Sequence, residues 1–494
     1  MVLKIQKYKS SLYFLRVLCG KGQMVFVAAA LLSAIALQAQ TAAPKRTAGT
    51  PEQRTARYFE SVRQSPSEML AFLLSMPKGG DLHNHLSGAI YAESYIQWAA
   101  ADGLCVSQTT MVVSRPPCRQ DEAQVPATAA LASGTLYRQL IDAWSMRSWR
   151  FAGQSGHDHF FDAFGKFGTV SATHTGAMLA EVASRSAKGH VSYLELMLTP
   201  DGGLSSRLGQ QVGWDGNFQS TLDKLKAAGI DKAIPAAAAY LDAAERDKNS
   251  ELRCGTPQAD GGCSVTIRYV SQVAREAALG SVFAQMVTGF ALSSATASKI
   301  VALNLVQAED GANSMRNFAL QMQMLDFLHA NYPAAHVTLH AGELAPGLVP
   351  PDGLRFHIRD SVRIGHAERI GHGVDVMHED EADGLMREMA ARHVAVEICL
   401  SSNDLILGVS GDEHPLNAYL KRGVPVTIAT DDEGVSRSEI SREYLKAARE
   451  QGLGYLQLKA IARNGLKYAF VEETEKARLQ KSLEEDFRKF ESRY

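Results

Sequence analysis

The 494-residue sequence has no block of basic residues, and its formal net charge is only -2. Binding to nucleic acid or to an anionic membrane surface therefore has no electrostatic support. The sequence shows no internal repeat. With 46% hydrophobic and 21% charged residues, the composition is that of an ordinary globular protein. The chain is long enough for one large domain or two ordinary ones.

An apolar run near the N-terminus, residues 24–37, is shorter than the roughly 20 residues that a membrane-spanning helix needs. Basic residues precede it and small residues follow it, which is the pattern of a secretory signal peptide. We expect cleavage near Ala39, so that residues 1–39 are removed, and Met24 is an alternative start of translation. Cys19 lies before the run rather than after it, which excludes a lipoprotein signal. We therefore expect a protein that is exported, to the periplasm or out of the cell, without a stable membrane anchor.

Five of the six cysteines remain after the signal peptide. Cys105 and Cys118 are close in sequence, as are Cys254 and Cys263, and each pair flanks a loop-like stretch. In an exported protein such pairs are predicted to form local disulfides. Cys399 lies in an apolar run and is predicted to be a free, buried thiol.

Strand-like and helix-like segments alternate through most of the chain. The predicted strands cover residues 79–85, 191–198, 265–270, 299–305, 336–340, 368–373, 393–399 and 424–430. Helices of parallel-crossover length separate them, one of them predicted over about 217–246, and many strands are apolar runs, as expected when both faces are buried. The count predicts an α/β fold, a (β/α)8 TIM barrel with a helical insertion after the first strand and a helical C-terminal tail. We expect residues 40–75 to form an N-terminal extension, flexible to about residue 55, and residues 76–494 to form the barrel.

In such a barrel, functional side chains gather at the carboxyl ends of the strands. His83 and His85 close the first strand and share one of its faces, because alternate residues of a strand point the same way. His340 ends the fifth strand, and Asp431 follows the eighth. Three histidines and one carboxylate are a ligand set suited to Zn²⁺, with a position left for water.

Three further side chains fall at these strand ends. Glu343 lies three residues after His340, where the turn can aim it at that water. His372 sits between two glycines, which lets a substrate approach closely, and Asp432 adjoins Asp431. Each piece is weak alone, since Asp-Asp-Glu after a strand is often a helix N-cap and Gly-His-Gly can be a turn. Their occurrence together at four strand ends predicts one site.

These motifs resemble those of the adenosine deaminase family of the amidohydrolase superfamily. The matching stretches are Met-Pro-Lys-Gly-Gly-Asp-Leu-His-Asn-His-Leu-Ser-Gly-Ala (76–89), His-Ala-Gly-Glu (340–343), Arg-Ile-Gly-His-Gly (369–373), Ser-Ser-Asn (401–403) with His414-Pro415, and Thr-Asp-Asp (430–432). The resemblance covers about residues 76 to 475. The opening stretch is most similar to the secreted, growth-factor-like branch and its bacterial relatives.

The resemblance implies hydrolytic deamination of adenosine or 2′-deoxyadenosine to the inosine form, with release of ammonia. It implies a Zn²⁺ cofactor held by His83, His85, His340 and Asp431. It implies that Glu343 donates a proton to the purine ring nitrogen, that His372 orients or deprotonates the water, and that Asp432 holds this water and the purine. The implied partner is a small-molecule purine nucleoside, and the implied substrate contacts are His85, Ser87 and Asp432.

Two departures from the family pattern leave the nucleoside open. Ser87 stands where the family usually has an aspartate associated with the ribose, and Gln307 stands where it has a glycine that contacts the purine. One alternative is therefore a zinc hydrolase of the same fold that acts on another amino-purine or an amide-like substrate. Another is an exported binding module without activity, which the intact set of ligands and acid-base residues argues against.

Three other patterns have different explanations. His157-Asp158-His159 lies outside any predicted strand and is interpreted as polarity at the surface or at a helix entry. His366-Ala367-Glu368 matches half of another zinc deaminase signature, but no Pro-Cys-x-x-Cys follows, which excludes that unrelated fold. The aromatic cluster at residues 160–167 is either an apolar wall over the site or a helix packed on the core.

Overall fold

Eight parallel strands form the centre of the computed structural model, which describes residues 49–295 and 298–494. They are β1 (Gly79–His85), β2 (Val191–Leu198), β3 (Thr266–Ala274), β4 (Ile300–Val306), β5 (His336–Ala341), β6 (Arg369–His372), β7 (Ala395–Ile398) and β8 (Val426–Ile428). Each overlaps a predicted strand, so the predicted strand count is confirmed. The predicted signal peptide, residues 1–39, lies outside the described residues.

The strands follow one another in chain order around the barrel, and each pairs in parallel with the next. A bridge between Asn84 and Asp431 brings the end of the last strand back to the first. The backbone N–H of Asp431 donates to His83 O over 2.9 Å, and the N–H of His85 donates to Asp431 O over 3.2 Å. The chain therefore forms the predicted (β/α)8 barrel.

Side chains on both faces of the strands are buried, because helices cover the outside of the barrel. All 7 residues of β1 and all 7 of β4 are buried. A parallel sheet covered in this way selects apolar residues at successive positions rather than at alternate ones. This explains why several strands are recognisable in the sequence as continuous apolar runs.

Helices fill the connections between the strands. In the described part of the chain the α-helices are Pro51–Ser61, Pro66–Ser75, Ala92–Ala101, Thr128–Ala132, Gly134–Ala143, Gly156–Ser171, Thr175–Lys188, Leu204–Val212, Phe218–Ala227, Ala233–Glu251, Leu279–Ser293, Ala312–Asn331, His357–Arg363, Ala382–Arg392, Leu400–Leu407, Leu416–Lys421, Glu433–Ser436, Ile440–Glu450, Tyr455–Lys467 and Glu473–Glu491. Short 3-10 helices are Gln120–Glu122, Trp149–Phe151, Ile230–Lys232, Gly261–Ser264, Pro351–Leu354, Val376–His378 and Gly411–Glu413. Within these ranges, none of the helices combines the length and the apolar character needed to cross a membrane.

The insertion after β1 is helical, as predicted, but it also contains a small antiparallel sheet that the sequence analysis missed. Its strands are Cys105–Ser107, Val113–Ser114 and Gln124–Pro126. Strands of two or three residues are too short to show a period in the sequence. The Cys105–Cys118 disulfide lies at this sheet, and Cys254–Cys263 is also bonded. Both predicted disulfides are confirmed, and Cys399 is a buried free thiol as predicted.

Two predicted segments were wrong in detail. The single helix expected over 217–246 is two helices, because Gly229 adopts φ 89° and ends the first one. The flexible lead-in expected up to residue 55 is helical from Pro51 onward. The Thr50 side chain accepts from the backbone N–H of Gln53, whose own side chain accepts from the N–H of Thr50, and this capping box starts the helix there.

The C-terminal tail is helical, as predicted, and its helix Tyr455–Lys467 crosses the start of β1. A Cβ atom on Gly80 would lie 2.5 Å from Gly465 O, so this close backbone approach requires glycine. On the same helix, Lys459 Nζ lies 2.5 Å from Glu491 Oε1 and joins it to the last helix of the tail. The tail thus fixes the position of the strand that carries His83 and His85.

Candidate active site

Four potential ligand atoms converge at the carboxyl end of the barrel. The Nε2 atoms of His83 and His85 each lie 3.2 Å from Nε2 of His340. Oδ1 of Asp431 lies 3.5 Å from His83 Nε2 and 3.4 Å from His85 Nε2. Ligand atoms of a tetrahedral zinc site lie roughly 3.3 Å from one another when each metal–nitrogen distance is about 2.0–2.1 Å. The four side chains are therefore spaced to hold one metal ion of this kind.

The barrel closure places these ligands. His83 and His85 lie on one face of β1, as predicted, while Asn84 points away and donates to Thr430 Oγ1 over 2.8 Å. Asp431 has a positive φ of 57° and is held there by its backbone hydrogen bonds to β1. Its side chain is fixed by Ser402, whose hydroxyl donates to Oδ2 over 2.6 Å.

A hydrogen-bond partner orients each histidine of the cluster. Nδ1 of His83 lies 2.6 Å from Glu397 Oε2, and Nδ1 of His340 lies 2.9 Å from Asn304 Oδ1. The Gln272 carboxamide lies 3.0 Å from Nδ1 of His85. With their Nδ1 atoms occupied in this way, all three rings present Nε2 to the cluster, which is how second partners orient metal-binding histidines.

A buried ion-pair network supports His83 and was missed by the sequence analysis. Arg369 Nε donates to Glu397 Oε1 over 2.5 Å, and Arg369 Nη2 donates to Glu195. The guanidinium carbon lies 3.9 Å from the centre of the Phe470 ring. Burial alone would raise the pKa of Glu397, but Arg369 and His83 lower it to about 2, so this carboxylate stays charged. The sequence signal that could have indicated this network is a charged residue in each of three buried strands, namely Glu195, Arg369 and Glu397.

Glu343 lies beside the cluster, with Oε1 3.6 Å from His372 Nε2. Its backbone N–H donates to Glu309 over 2.7 Å, and His357 Nδ1 lies 2.6 Å from the other oxygen of Glu309. Burial, together with the carboxylates of Asp431 and Glu309, raises the pKa of Glu343 well above the ordinary value. This shift favours the protonated form of Glu343, which can donate a proton.

His372 and Asp432 are the remaining site residues that were predicted from the sequence. Nε2 of His372 is buried and has no hydrogen-bond partner among the described residues, and its Nδ1 lies 3.0 Å from Asn403 Nδ2. Asp432 Oδ1 is likewise buried without a partner in this part of the chain. A Cβ atom on Gly88 would overlap the Asp432 carboxyl group, so this glycine leaves the space that Asp432 occupies. Both side chains therefore have free polar atoms at the site.

Two further groups of potential ligand atoms overlap the first one. His83 with His372 and Cys399, and Glu343 with His372 and Asp431, also bring such atoms within 4.8 Å of one another. Neither group contains the three histidine nitrogens and the carboxylate together. The first group is therefore the best candidate for a metal ion, and the binding itself stays a prediction.

A cavity of about 410 Å³ opens above the cluster, a size typical of small-molecule sites. Its floor is formed by His85, His340, Glu343, Asp431 and Asp432, its wall by Phe160, Phe161 and Phe164, and its polar side by Ser87, Gln272, Glu276 and Gln307. The phenylalanines belong to the helix Gly156–Ser171, so both explanations of the aromatic cluster hold: Phe160 is buried in the core and also faces the cavity. A larger cavity of about 640 Å³ lies at the amino ends of β5 to β7, away from the cluster.

The other histidine patterns take no part in the cluster. His157 and His159 lie in the first turn of the helix Gly156–Ser171, as the helix-entry explanation predicted. His157 Nε2 lies 2.9 Å from Asp310 Oδ1, and His366 Nε2 lies 2.7 Å from Asp326 Oδ1. Each has a partner of its own and lies outside the candidate metal groups of the described residues.

The sequence model of the family described as adenosine deaminase matches residues 149–486, more than half of the chain. The chain belongs to the adenosine deaminase family. The match begins after β1, so His83 and His85 lie outside it. These two histidines are nevertheless brought to the matched His340 and Asp431 by the closure of the barrel.

Curated relatives support the same family. Adenosine deaminase of Serratia proteamaculans is 38% identical over 176 residues, which are 35% of this chain and 50% of that protein. Adenosine deaminase of Escherichia coli strain SE11 is 36% identical over 179 residues, 36% of this chain and 50% of that protein. The alignments thus span about half the length of these relatives.

Solved structures share the fold at low identity. Adenine deaminase from Arthrobacter aurescens superposes with a TM-score of 0.53 at 18% identity, covering 83% of this chain and 98% of that one. Arabidopsis ADAL complexed with GMP gives a TM-score of 0.55 at 18% identity, over 84% of this chain and 98% of that one. An amidohydrolase from Burkholderia ambifaria with bound Zn gives 0.52 at 17% identity, over 85% of this chain and 93% of that one. These likenesses support the barrel fold.

Proposed function

We propose that this protein is a Zn²⁺-dependent deaminase that converts adenosine or 2′-deoxyadenosine to the inosine form and ammonia. One observation carries the proposal. Three histidine nitrogens and an aspartate oxygen converge with separations of 3.2–3.5 Å, and His85, His340 and Asp431 of this group line a barrel cavity that is also lined by a buried glutamic acid. Membership of the adenosine deaminase family supports the reaction class.

The proposed metal suits the residues that would hold it. His83, His85, His340 and Asp431 supply three nitrogen donors and one oxygen donor, a borderline set that Zn²⁺ favours over Mg²⁺ or Ca²⁺. When bound, zinc would lower the pKa of a water molecule from 15.7 to about 7 and so supply a nucleophile at neutral pH.

The remaining steps belong to this chain's own side chains. Glu343, protonated because of its burial, donates a proton to the purine ring nitrogen as C6 is attacked. His372 directs Nε2 toward the attacking oxygen, and Asp432 offers its unpaired carboxyl oxygen to the same centre. General acid catalysis of this kind contributes about 10²–10⁴-fold.

The cavity favours a nucleoside over a nucleotide. No lysine or arginine is among the described side chains that line it, whereas Glu276 adds a carboxyl group. A 5′-phosphate would therefore enter without a cation to neutralise it. The phenylalanine wall suits a flat purine, and the polar groups on the other side suit the hydroxyls of a sugar.

The two departures from the family pattern are accommodated within this cavity. Gln307 keeps a glycine-like φ of 81°, and its side-chain Oε1 accepts from the backbone N–H of Glu276, another residue that lines the cavity, over 3.0 Å. Ser87 lines the cavity and provides a hydroxyl in place of a carboxylate. Glu276 is the additional carboxylate on the polar side, where the ribose is proposed to lie.

Metal analysis of the purified protein and an ultraviolet assay with four substrates test the proposal. We expect one zinc per chain, activity that is lost with chelator and restored by Zn²⁺, and turnover of adenosine and 2′-deoxyadenosine above that of adenine and AMP. Full activity of a metal-free preparation would contradict the metal assignment. A clear preference for adenine or AMP would overturn the nucleoside assignment while leaving a purine deaminase.

We also propose that the mature protein is exported. The basic, apolar and small-residue order of residues 1–39 supports this, and so do the two local disulfides. Cell fractionation followed by N-terminal sequencing of the mature chain should find it outside the cytoplasm and beginning near residue 40. A full-length chain in the cytoplasm would contradict the proposal.

A further inference from the structure

Ser402 of the Ser-Ser-Asn motif (401–403) fixes Asp431, but Asn403 and the His-Pro motif at residues 414–415 have no role in the reaction described so far. The structure brings Asn403 and His414 into a chain of hydrogen bonds that ends at His372. Asn403 and His414 are only 0% and 3% exposed. His414 Nε2 lies 3.0 Å from Asn403 Oδ1, and Asn403 Nδ2 lies 3.0 Å from His372 Nδ1.

The far end of this chain of hydrogen bonds fixes which group donates in each bond. The backbone N–H of Leu416 can only donate, and it does so to His414 Nδ1 over 3.2 Å. A neutral imidazole has one donor and one acceptor nitrogen, so His414 must donate from Nε2 to Asn403. Burial, and to a lesser extent Lys446, lowers the pKa of His414 to about 4, which keeps the ring neutral.

The donor and acceptor roles at Asn403 then determine those at His372. Because the carbonyl oxygen of Asn403 accepts from His414, its NH2 group faces Nδ1 of His372 and donates to it. Nδ1 of His372 is therefore an acceptor, and the ring carries its proton on Nε2. Turning the Asn403 carboxamide around would place its NH2 group against the N–H of His414. Moving the His414 proton to Nδ1 would place two N–H groups together at Leu416.

Nε2 of His372 is the end of the chain that faces the reaction. It is buried, has no hydrogen-bond partner among the described residues, and lies 3.6 Å from Glu343 Oε1. The His372 ring centre lies 4.9 Å from that of His83 and 5.2 Å from that of His340. A proton on this nitrogen points to the place where the metal ligands and the purine meet.

The geometry points to Asn403 and His414 as positioning residues that hold His372 in its Nε2–H tautomer, so that His372 donates a hydrogen bond to the attacking hydroxide and does not act as its base. The proton of the water is then lost to solvent before the attack. The role in deamination rests on the proposed function, whereas the tautomer does not. Of the two roles that the family resemblance leaves open for His372, orienting the water and deprotonating it, the hydrogen-bond chain selects orientation.

The replacement Asn403→Asp tests this with almost no change of shape. When it is ionised, a carboxylate accepts on both sides, so it keeps the bond from His414 but requires His372 to donate from Nδ1. The ¹³C shift of the new carboxyl carbon reports its ionisation, and the spectra are taken at a pH at which it is charged. In full-length, zinc-loaded protein labelled with ¹⁵N-histidine, we expect the wild-type His372 proton on Nε2 and the variant proton on Nδ1. The His372 signal is identified by its disappearance in His372→Asn.

Kinetics provide the second readout. Loss of one hydrogen-bond donor to a reacting oxygen typically lowers kcat about 10²–10³-fold, and we expect Asn403→Asp to fall in this range with unchanged zinc content and KM. His414→Phe removes the donor to Asn403 and should also lower kcat, while His414→Gln, which restores an N–H, should recover the tautomer and most of the rate. Ser401→Ala, in the same helix turn but bonded to Ser438, is the matched control and should behave as wild type.

A wild-type His372 that carries its proton on Nδ1 would overturn the inference, and so would an ionised Asn403→Asp variant with unchanged tautomer or unchanged kcat. If the wild-type protein deaminated none of the four purines, the proposed function would fall. The ¹⁵N spectra would still decide the tautomer in that case, so the two failures are distinguishable.

Discussion

Two groups of buried carboxyl groups lie at different levels of the same barrel. Glu195 and Glu397 lie within the strands and share Arg369, whereas Glu343 and Asp432 lie just beyond the strand ends. Burial raises the pKa of a carboxyl group in both places, but Arg369 and His83 lower that of Glu397 to about 2. Burial, with nearby carboxylates, raises the pKa values of Glu343 and Asp432 well above the ordinary range.

The difference shows that the partner of a buried carboxyl group, and not burial alone, decides its protonation state. The paired group is a permanent charge that holds a histidine in place, which is a structural use. The group without a cationic partner keeps a proton that it can give to a substrate, which is a chemical use. Substitutions that remove the cationic partner of one group or the proton of the other test this distinction.

The largest effect is expected for Glu343→Gln. The amide keeps the shape of the side chain but cannot transfer a proton, so kcat should fall at least about 10²–10⁴-fold. Zinc content should be unchanged, because Glu343 is not in the proposed ligand group. Asp431→Ala is the contrasting variant and should lose zinc, since it removes one of four ligands. A metal-free Glu343→Gln protein, or one with wild-type turnover, would show that the two carboxyl groups do not divide the work in this way.

Arg369→Met removes the cation from the paired group and keeps most of the side-chain volume. It leaves two buried carboxylates without the cation that they share, so we expect a loss of about 3–5 kcal/mol in the free energy of unfolding. Denaturant unfolding measures it. Arg355→Met, which breaks an exposed pair with Asp380, is the control and should change stability little. Equal stability of the two variants would mean that the buried network does not hold the strands.

Glu397→Gln converts the charged support of His83 into a neutral one, like the Asn304 support of His340. Loss of a carboxylate partner of a metal-binding histidine typically costs 10–100-fold in affinity. We expect zinc affinity to fall by about this factor in a competition titration with a chelator. Glu388→Gln, at an exposed pair with Arg392, should leave the affinity unchanged. An unchanged affinity in Glu397→Gln would remove the distinction between the two kinds of support.

The smallest expected effect is a pH dependence of stability that Glu397 contributes. Its folded-state pKa, about 2, lies below the unfolded value, so its stabilising effect is present above about pH 4.3 and is lost as the pH falls toward 2. The stability difference between the wild type and Glu397→Gln should therefore shrink on acidification. Urea unfolding of both proteins between neutral and acid pH measures the difference. A difference that grows at low pH would show that the carboxyl group is not charged in the folded state.

Much of the fold could be predicted because each strand carries its own local signal. Apolar runs bounded by turn residues located many of the eight barrel strands, and polar residues at strand ends located His83, His85, His340 and Asp431. Each of these patterns is contained in a few consecutive residues. The capping box at Thr50 was equally local, and its Thr-Pro-Glu-Gln sequence could have predicted a helix from Pro51.

The parts that could not be predicted depend on contacts between distant segments. Glu195, Arg369 and Glu397 belong to three different strands, and only the folded barrel shows that they pair. The chain of hydrogen bonds from Leu416 to His372 has the same character, because its direction is set by one backbone N–H. The break at Gly229 was local but ambiguous, since a glycine in a helical pattern either interrupts the helix or is tolerated within it.

The bridge between β1 and the residue after β8 has a consequence for how the protein assembles. Its two backbone hydrogen bonds join the beginning and the end of the barrel, and they involve the same residues that present the ligands. A metal ion bound there would tie together the two ends of a long loop of chain, whose closure carries an entropic cost. Formation of the metal site and closure of the barrel would then be one cooperative event. Zinc binding would stabilise the pairing of the first and last strands against opening.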